Sequence, residues 1–379
     1  MIELNKIKIG GGQSFVLIAG PCVVESEQLA MDTAGQLKEL TKDQLGRWFE
    51  ENGMRAFRAT QVLKWIYLRQ ADSFDQMTDI NLETRELLSN AFTNKRLALK
   101  QQETSMDGSQ KYLYQLEDGN AIESVLIPEK DHDTLCVSSQ VGCAQGCRFC
   151  LTAANGFVRN LAAWEIISQV RDIQNLRQDA GRLTNIVFMG MGEPLANYGN
   201  VVRALKIITD ADIGLKFSNR RVTLSTAGLV PRMQALGKAT QVNLAVSLNA
   251  ADNHTRSRLM PINRKYPLEK LLDACAAYPL KHRQKITFEY ILIKQVNDSL
   301  EDAHRLAGIL SRIPCKINLI PFNEHEGSRF ERPDETAIAG FQNVLVKRNY
   351  TTIIRQSKGR DISAACGQLR ARFTGREPV

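Results

Sequence analysis

The stretch Cys143-Ala-Gln-Gly-Cys147-Arg-Phe-Cys150 holds three cysteines in a C-x3-C-x2-C spacing, and a fourth, Cys136, lies seven residues upstream. Thiolates this close together bind soft metals, and two chemistries compete for them. A structural zinc site closes its shell with four protein ligands, so zinc requires a fourth donor such as Cys136 or His132. A four-iron cluster wants one protein ligand per iron, and three thiolates leave one iron open to a small molecule. Cys22, Cys275, Cys315 and Cys366 stand alone. Eight cysteines so unevenly placed in 379 residues do not form a disulfide scaffold, and in a reducing compartment the cluster points to metal or catalysis.

The cysteines need a scaffold. The run "LCVSSQVG" reads as a strand leading into them. Beyond it, apolar β-rich runs occur at "NIVFMG", "RVTLST", "VNLAVSL", "ITFEYILI", "KINLIPF" and "YTTIIRQ". Helical stretches such as "LAAWEIISQVRDIQNLRQ", "YGNVVRALKIITD", "PLEKLLDACAAY" and "SLEDAHRLAGILSRI" separate them. Strand followed by helix, repeated, predicts an α/β fold with parallel strands in a barrel or open sheet. In such folds the carboxyl ends of the strands converge on one face, where sites form. Glycine and polar residues follow the strands there, in "MGMGEP", "STAG", "SLNA", "PFNEH" and "RQSKGR". The glycines of "MGMGEP" lack the G-x-G-x-x-G spacing of a dinucleotide fold. Upstream, residues 41 to 97 carry helical amphipathic patterns broken at Gly53 and "ADSFDQM". The segment "KYLYQLEDGNAIESVLIPE" predicts a hairpin turning at Asp118-Gly119-Asn120.

Composition narrows the class. The chain is 43% hydrophobic and 24% charged, ordinary for a globular protein, and no apolar run reaches the roughly 20 residues of a membrane span. The N-terminal "FVLIAGPCVV" lacks a basic leader, and Pro21 spoils a lipoprotein cleavage site before Cys22, so a cytoplasmic location without membrane association is expected. A net charge of +8 is compatible with a polyanionic partner. No internal repeat is present.

The three-cysteine loop, with Phe149 before its last cysteine, resembles that of the radical S-adenosylmethionine (SAM) enzymes. In that family a [4Fe-4S] cluster binds SAM at its open iron and delivers an electron that splits a carbon–sulfur bond, giving a 5′-deoxyadenosyl radical. Six runs carry the likeness further: "CVSSQVGCAQGCRFC", "MGMGEPLANY", "VTLSTAG", "AVSLNAADNHTRSRLMPINRKYPL", "LIPFNEH" and "SKGRDISAACGQL". Together they resemble the RlmN family of adenine C2-methyltransferases, which act on adenine 2503 of 23S rRNA and adenine 37 of tRNA. The likeness runs from about Thr41 to Phe373 and implies a partial (β/α)6-type barrel with a small N-terminal helical accessory domain. The division expected is 41–105 for an accessory RNA-docking domain, 106–134 for a connecting hairpin, 135–373 for the radical SAM core and 374–379 for a tail.

The resemblance also assigns roles. Cys143, Cys147 and Cys150 match the cluster ligands. Gly192, Glu193, Ser225, Ser247, Leu248, Asn249 and Asn323 match SAM contacts, although relatives often carry histidine at the position of Asn249. Cys366 matches the cysteine that becomes S-methylated. An aromatic C2 carbon is a poor nucleophile towards a sulfonium and a thiolate is a good one, which explains the detour. A second SAM then makes the methyl a radical that adds to the base. Glu123 matches the proton acceptor, and Cys136 the resolving cysteine that ends in a transient disulfide with Cys366. Read without the family, Cys136 fits a small core residue, Glu123 a solvated strand carboxylate, and Cys366 either a core thiol or a reactive one. The implied partners are 23S rRNA, tRNA and an electron donor such as flavodoxin, with the protein a monomer. The related Cfr-type adenine C8-methyltransferases share the cysteine logic and are the alternative. Arg220, Arg221, Lys281, His282, Arg283, Lys347 and Arg348 are candidate phosphate contacts, or solvated surface. Arg55, Arg58, Lys64 and Trp65 are candidates for docking RNA on the accessory domain.

Residues 1–40 stand apart. "FVLIAGPCVVESEQLAMDTAGQLKEL" resembles the first strand and helix of 3-deoxy-manno-octulosonate 8-phosphate synthase. One strand and one helix cannot close a barrel, so no synthase activity is expected. The segment Leu37–Leu40 also fits as the start of the methyltransferase.

Overall fold

The structure is a computed structural model that describes residues 2–4, 7–9, 35–176, 183–325 and 327–371. Most of the expectation for a foreign start at residues 1–40 lies outside the described residues. Of that stretch, Ile2–Leu4 pairs with Ile7–Ile9 as an antiparallel hairpin, while Leu37 and Lys38 are buried with the rest of the protein.

Three helices come first: α1 (Lys42–Glu51), α2 (Arg58–Tyr67) and α3 (Leu82–Ala91). A capping box starts α1: Thr41 accepts from the Gln44 amide, and the Gln44 side chain accepts from the Thr41 amide. Leu45, Phe49, Val62, Leu63, Ile66 and Leu88 bury one face of each helix in a core continuous with that of the sheet.

A ten-stranded sheet follows. β1 (Ala98–Thr104), β2 (Gln110–Gln115) and β3 (Ala121–Pro128) form an antiparallel meander. The expected turn joins β2 to β3, closed by the Gly119 amide on the Leu116 carbonyl, and Gly119 takes the positive φ (82°) that such a turn demands. The run ALKQQET of β1 has no apolar alternation, which is why the sequence patterns show no strand there. β3 pairs antiparallel with β4 (Asp133–Cys136). A small antiparallel pair, β5 (Gln140–Gly142) and β6 (Phe157–Asn160), then brackets the cysteine loop and the short helix α4 (Leu151–Ala154).

From β4 onward the sheet is parallel, built of six strand–helix units and a final strand. β4 leads through the cysteine loop to α5 (Ala163–Leu176), and β7 (Leu183–Phe188) to α6 (Tyr198–Thr209). β8 (Val222–Thr226) precedes α7 (Val230–Ala239), and β9 (Asn243–Ser247) precedes α8 (Asn253–Leu259) and α9 (Leu268–Ala276). β10 (Ile286–Leu292) leads to α10 (Leu300–Ile309), and β11 (Cys315–Pro321) to α11 (Glu335–Lys347) and β12 (Thr352–Ile354). The six β-rich runs read from sequence coincide with β7 to β12, which is the expected partial (β/α)6 barrel. Helices α7, α8 and α11 are additional to the helical runs quoted above.

The sheet does not close. Its outermost strands are β1 and β12, and among the described residues they do not pair with each other. Nor is the interior filled by apolar layers, as in a complete barrel. Thr134, Asn185, Thr223, Asn243, Thr287, Lys316 and Asn318 point inward along a cavity of about 640 Å³. No described helix is long and apolar enough to cross a membrane.

The accessory helices are clamped to α5 by buried charge. Arg171 is fully buried; its guanidinium donates to the Ile66 carbonyl (3.1 Å) and pairs with Asp72 (3.1 Å) and Asp172 (3.4 Å). Asp172 in turn accepts from the Leu97 amide (2.9 Å). Lys38 reaches the same cluster, donating to Ser168 Oγ (2.9 Å) and to the Lys95 carbonyl. Burial lowers the Lys38 pKa to about 7, with Asp172 opposing.

Candidate active site

The cysteine loop is positioned by backbone contacts that only glycine permits. Gly142 has φ of 72°, and a Cβ there would stand 2.0 Å from the Gly156 carbonyl oxygen. The Cys143 amide donates to that oxygen (2.8 Å) and so fixes where the loop leaves β5. At the other end, the Leu151 amide donates to the Gly367 carbonyl (2.8 Å) and Thr152 Oγ1 to the Leu369 carbonyl (2.6 Å). Cys366 is thereby stitched against the loop.

Cys143, Cys147 and Cys150 open on one cavity of about 160 Å³. Burial pushes the Cys143 thiol up to about 12 and Cys147 well above its ordinary value, and neighbouring thiols add to both shifts. Thiols held neutral in this way need a strongly cationic partner to become ligands. His132 and Cys136 face the larger cavity instead. Among the described residues no three Cys, His, Asp or Glu side chains converge on a single-ion site. A closed four-ligand zinc shell is therefore not built, while a three-thiol donor set suits an iron–sulfur cluster.

The opposite wall of this cavity comes from the carboxyl ends of β7, β8 and β9: Gly192, Glu193, Ser225, Ser247 and Asn249 all line it. The loop after β7 lies flat on residues 137–140. Gly190 N donates to the Val137 carbonyl (3.1 Å), Met191 N to Ser138 Oγ (2.9 Å) and Glu193 N to Gln140 Oε1 (2.8 Å). A Cβ on Gly192, whose φ is 98°, would fall 2.4 Å from the Gln140 Cβ. The buried Glu193 carboxylate accepts from the amides of Leu195 (2.9 Å) and Ala227 (2.7 Å) and from the Thr226 hydroxyl (2.8 Å), joining the ends of β7 and β8. Burial raises its pKa and these three donors oppose the rise. Glu193 is thus occupied within the protein and acts by holding the wall.

Asn249 adopts a left-handed backbone (φ 59°), which asparagine tolerates well. Its side chain accepts from the Ile291 amide (2.9 Å) and its carbonyl accepts from Asn297 (2.8 Å). Leu248 is not brought to the cavity by its side chain, which is fully buried in the apolar core. Asn323 follows β11, and its Oδ1 is buried without a hydrogen-bond partner.

Cys366 lines both the smaller cavity and the larger one, and Cys136, the last residue of β4, lines the larger. They are near enough for Cys366 to bear on Cys136: burial, then the charge of Cys366, pushes the Cys136 thiol far up. Cys366 keeps an exposed surface towards the cavity, yet the protein packed around it, and next the charge of Glu289, raise its thiol to about 11. Both are free thiols. Glu123 is not brought to this cleft. It faces a separate cavity with Lys111, Asp361 and Arg370, and its Oε2 accepts from the amides of Arg370 (2.9 Å) and Ala371 (3.1 Å). Of the candidate phosphate contacts, Arg220 and Arg221 reach the mouth of the larger cavity, joined by Lys316, Arg355 and Lys358. Lys281 lines a different, smaller cavity. Cys275 and Cys315 are buried in the core.

Two residues carry weight that sequence patterns did not single out. Arg256 is fully buried and donates to the carbonyls of Leu248 (3.0 Å), Ala227 (2.8 Å) and Ser247 (3.3 Å), stapling the ends of β8 and β9. Glu289 sits in a strand run where its neighbours are apolar, and a lone carboxylate there is itself the signal.

The donor set fits a [4Fe-4S] cluster with SAM. Three thiols and an orphaned acceptor, Asn323 Oδ1, surround connected space whose floor carries Cys366. Comparison with known proteins agrees. The sequence profile of the radical SAM superfamily matches residues 137–307, and that of the ribosomal RNA large subunit methyltransferase N-terminal domain matches residues 36–93. The dual-specificity RNA methyltransferase RlmN of Desulfosudis oleivorans is 58% identical over 336 residues, 89% of this chain and 91% of that protein. RlmN of Geobacter sulfurreducens is 53% identical over 348 residues, 92% and 95% of the two chains. A crystal structure of a radical SAM methyltransferase from Sphaerobacter thermophilus superposes with a TM-score of 0.84 at 41% identity, covering 89% of this chain and 99% of the other.

Proposed function

The chain belongs to the RlmN family of dual-specificity RNA methyltransferases, and on that premise we propose that Cys366 carries the methyl group to C2 of adenine in 23S rRNA and tRNA. The protein is a SAM-dependent RNA methyltransferase of the radical SAM superfamily and uses a [4Fe-4S] cluster. The Cfr-type C8 alternative is not favoured by these relatives.

One observation carries the assignment of Cys366: its position opens at once on the cavity of the three-cysteine loop and on the larger, cation-rimmed cavity. A group that must first take a methyl and then hand it to a base has to face both. Cys143, Cys147 and Cys150 would hold the cluster, and Gly192, Ser225, Ser247, Asn249 and Asn323 would surround SAM. When bound, these cofactors supply the methyl group and a radical able to take a hydrogen atom from it. Cys366 holds the carbon that adds to C2. Once the adduct has lost one electron, which the cluster would take back, and its C2 proton, Cys136 attacks the Cys366 sulfur and breaks the bond to the methylene carbon. That carbon takes a proton and leaves as the methyl group of the freed base, and an external thiol must reduce the disulfide left behind. Glu123 accepts the C2 proton in this reading, which requires the Arg370 and Ala371 amides to leave its carboxylate.

Arg220, Arg221, Arg355 and Lys358 at the cavity mouth are suited to phosphates flanking an extruded base. A flavodoxin-class protein is the proposed electron donor, and the accessory helices the proposed docking domain. The test is anaerobic reconstitution with an rRNA fragment and SAM labelled in the methyl group, followed by nucleoside mass spectrometry. Labelled 2-methyladenosine is expected. Label at C8, or an unlabelled nucleoside pool, overturns the assignment.

A further inference from the structure

Glu289 is a buried carboxylate to which the steps above give no task. It lies in β10, where the pleat alternates cleanly. Ile286, Phe288, Tyr290 and Leu292 are fully buried, and Tyr290 packs against Phe341 of α11. Thr287 and Glu289 point the other way, into the larger cavity, and Glu289 and Ile291 line the smaller one. Glu289 therefore lies where the two spaces meet, lining both, as do Cys366 and Cys150. Glu289 and Cys366 are close enough for the Glu289 charge to disfavour the Cys366 thiolate.

Burying a carboxylate is costly, and one hydrogen bond offsets little of the cost. The one recorded here is from Asn318 Nδ2 to Oε1 (2.9 Å). Burial raises the Glu289 pKa, while Asn318, Arg355 and Lys316 hold it down. An aliphatic residue would fill this strand position more stably, so the carboxylate must serve something that enters the cavity. A ligand for an acceptor beside the methyl-carrying thiol needs an N–H donor near the atom that Cys366 addresses. Adenine has one: the exocyclic 6-amino group, whose ring carbon is separated from C2 by N1 alone. Carboxylates commonly accept hydrogen bonds from exocyclic base amines.

We propose that Glu289 reads the target base, accepting a hydrogen bond from the 6-amino group of adenine and so orienting C2 towards Cys366. This rests on the assignment of adenine C2 as the acceptor. It makes Glu289 a specificity-determining residue for the base, although it also borders the cavity of the SAM-facing residues. Asn318 fixes one carboxylate oxygen, and Lys316 and Arg355 favour its ionised form.

The experiment uses the full chain reconstituted with iron and sulfide and three RNA hairpins carrying adenine, purine or hypoxanthine at the target position. Binding is read by fluorescence anisotropy and methylation by nucleoside analysis on the same preparations. The wild-type protein should favour adenine over purine by about tenfold in Kd, the worth of one good base contact. E289A should bring that ratio close to one. E289Q, whose amide can donate to a 6-oxo group, should bring hypoxanthine to within about twofold of adenine. Ratios cancel any loss of folded protein, and a melting curve of each variant checks the fold. An adenine-to-purine ratio unchanged in E289A would falsify the proposal. Wild-type protein that binds adenine RNA selectively yet makes no 2-methyladenosine would instead overturn the functional assignment beneath it.

Discussion

The side-chain amide of Asn323 donates to the carbonyl oxygen of Cys366 at 3.3 Å. Asn323, two residues past the end of barrel strand β11, thus holds the backbone of the proposed methyl carrier while its own Oδ1 stays buried and unpartnered. Removing that side chain should both loosen Cys366 and delete an acceptor for SAM. Asn323→Ala is expected to weaken SAM binding about tenfold, in line with one lost hydrogen bond to a polar ligand. Equilibrium dialysis with labelled SAM measures it, and unchanged affinity would exclude the contact.

Cys366→Ala should abolish RNA methylation while iron content stays at the wild-type level, because the cluster ligands lie on a different loop. Iron and sulfide analysis beside the methylation assay separates the two effects. Residual methyl transfer from the variant would mean that another nucleophile takes the methyl.

Cys136→Ala removes the only other described thiol in the larger cavity besides Cys150 and Cys366. Protein should then accumulate covalently bound to RNA, visible as a band that migrates slowly under denaturing conditions and disappears with ribonuclease. Free methylated RNA at wild-type yield would remove Cys136 from the release step.

Glu193 satisfies two buried amides and a hydroxyl at once. Glu193→Ala should cost roughly 1–3 kcal/mol per donor left unsatisfied in full, less where water enters. Since these donors shape the wall of the smaller cavity, the proposed place of SAM, affinity for SAM should fall together with the melting temperature. Loss of neither would show that the loop after β7 is held mainly by Ser138 and Gln140.

Lys38 gives a pH signature. Its folded pKa, about 7, lies below its ordinary value of 10.5. Between those values the unfolded chain binds the proton and the folded chain does not, so stability rises with pH across that window. The penalty is fully present below about pH 7 and fades towards pH 10.5. The urea midpoint should therefore rise from pH 7 to pH 9.5, and Lys38→Met should flatten this rise. A slope unaltered by the substitution would place the titration elsewhere.

Much of this was legible in the residues, for identifiable reasons. The strands β7 to β12 are rich in apolar and β-branched residues because helices cover one face, and these runs stand out against polar loops even though their other face carries polar residues into the cavity. The Cys143–Cys150 spacing is a local signal, so the donor set needed no tertiary information. What escaped was either edge or context. β1 has one solvent-facing side and a polar sequence, so no alternation betrays it. Arg256 is one arginine among many until folding seals it beneath the ends of β8 and β9. The separation of Glu123 from Cys366 likewise depends on which face of β3 and which side of the C-terminal segment meet, a long-range matter that sequence spacing does not encode.

The gap between the outermost strands of the sheet is spanned by the segment after β12, where Gly359, Asp361 and Ile362 hydrogen-bond to Asp107, Ser105 and Lys111. The polymer therefore meets the cavity at its cation-lined opening, with a topological consequence for the substrate. A sealed tunnel would admit a polymer only by its end, so that every modified base would require the chain to be reeled through. A cavity with an open mouth lets a single nucleotide swing in from the middle of a long folded strand while both of its neighbours remain outside. Circularised RNA carrying the target loop should then be handled as readily as its linear counterpart, since nothing about the entrance asks for a terminus.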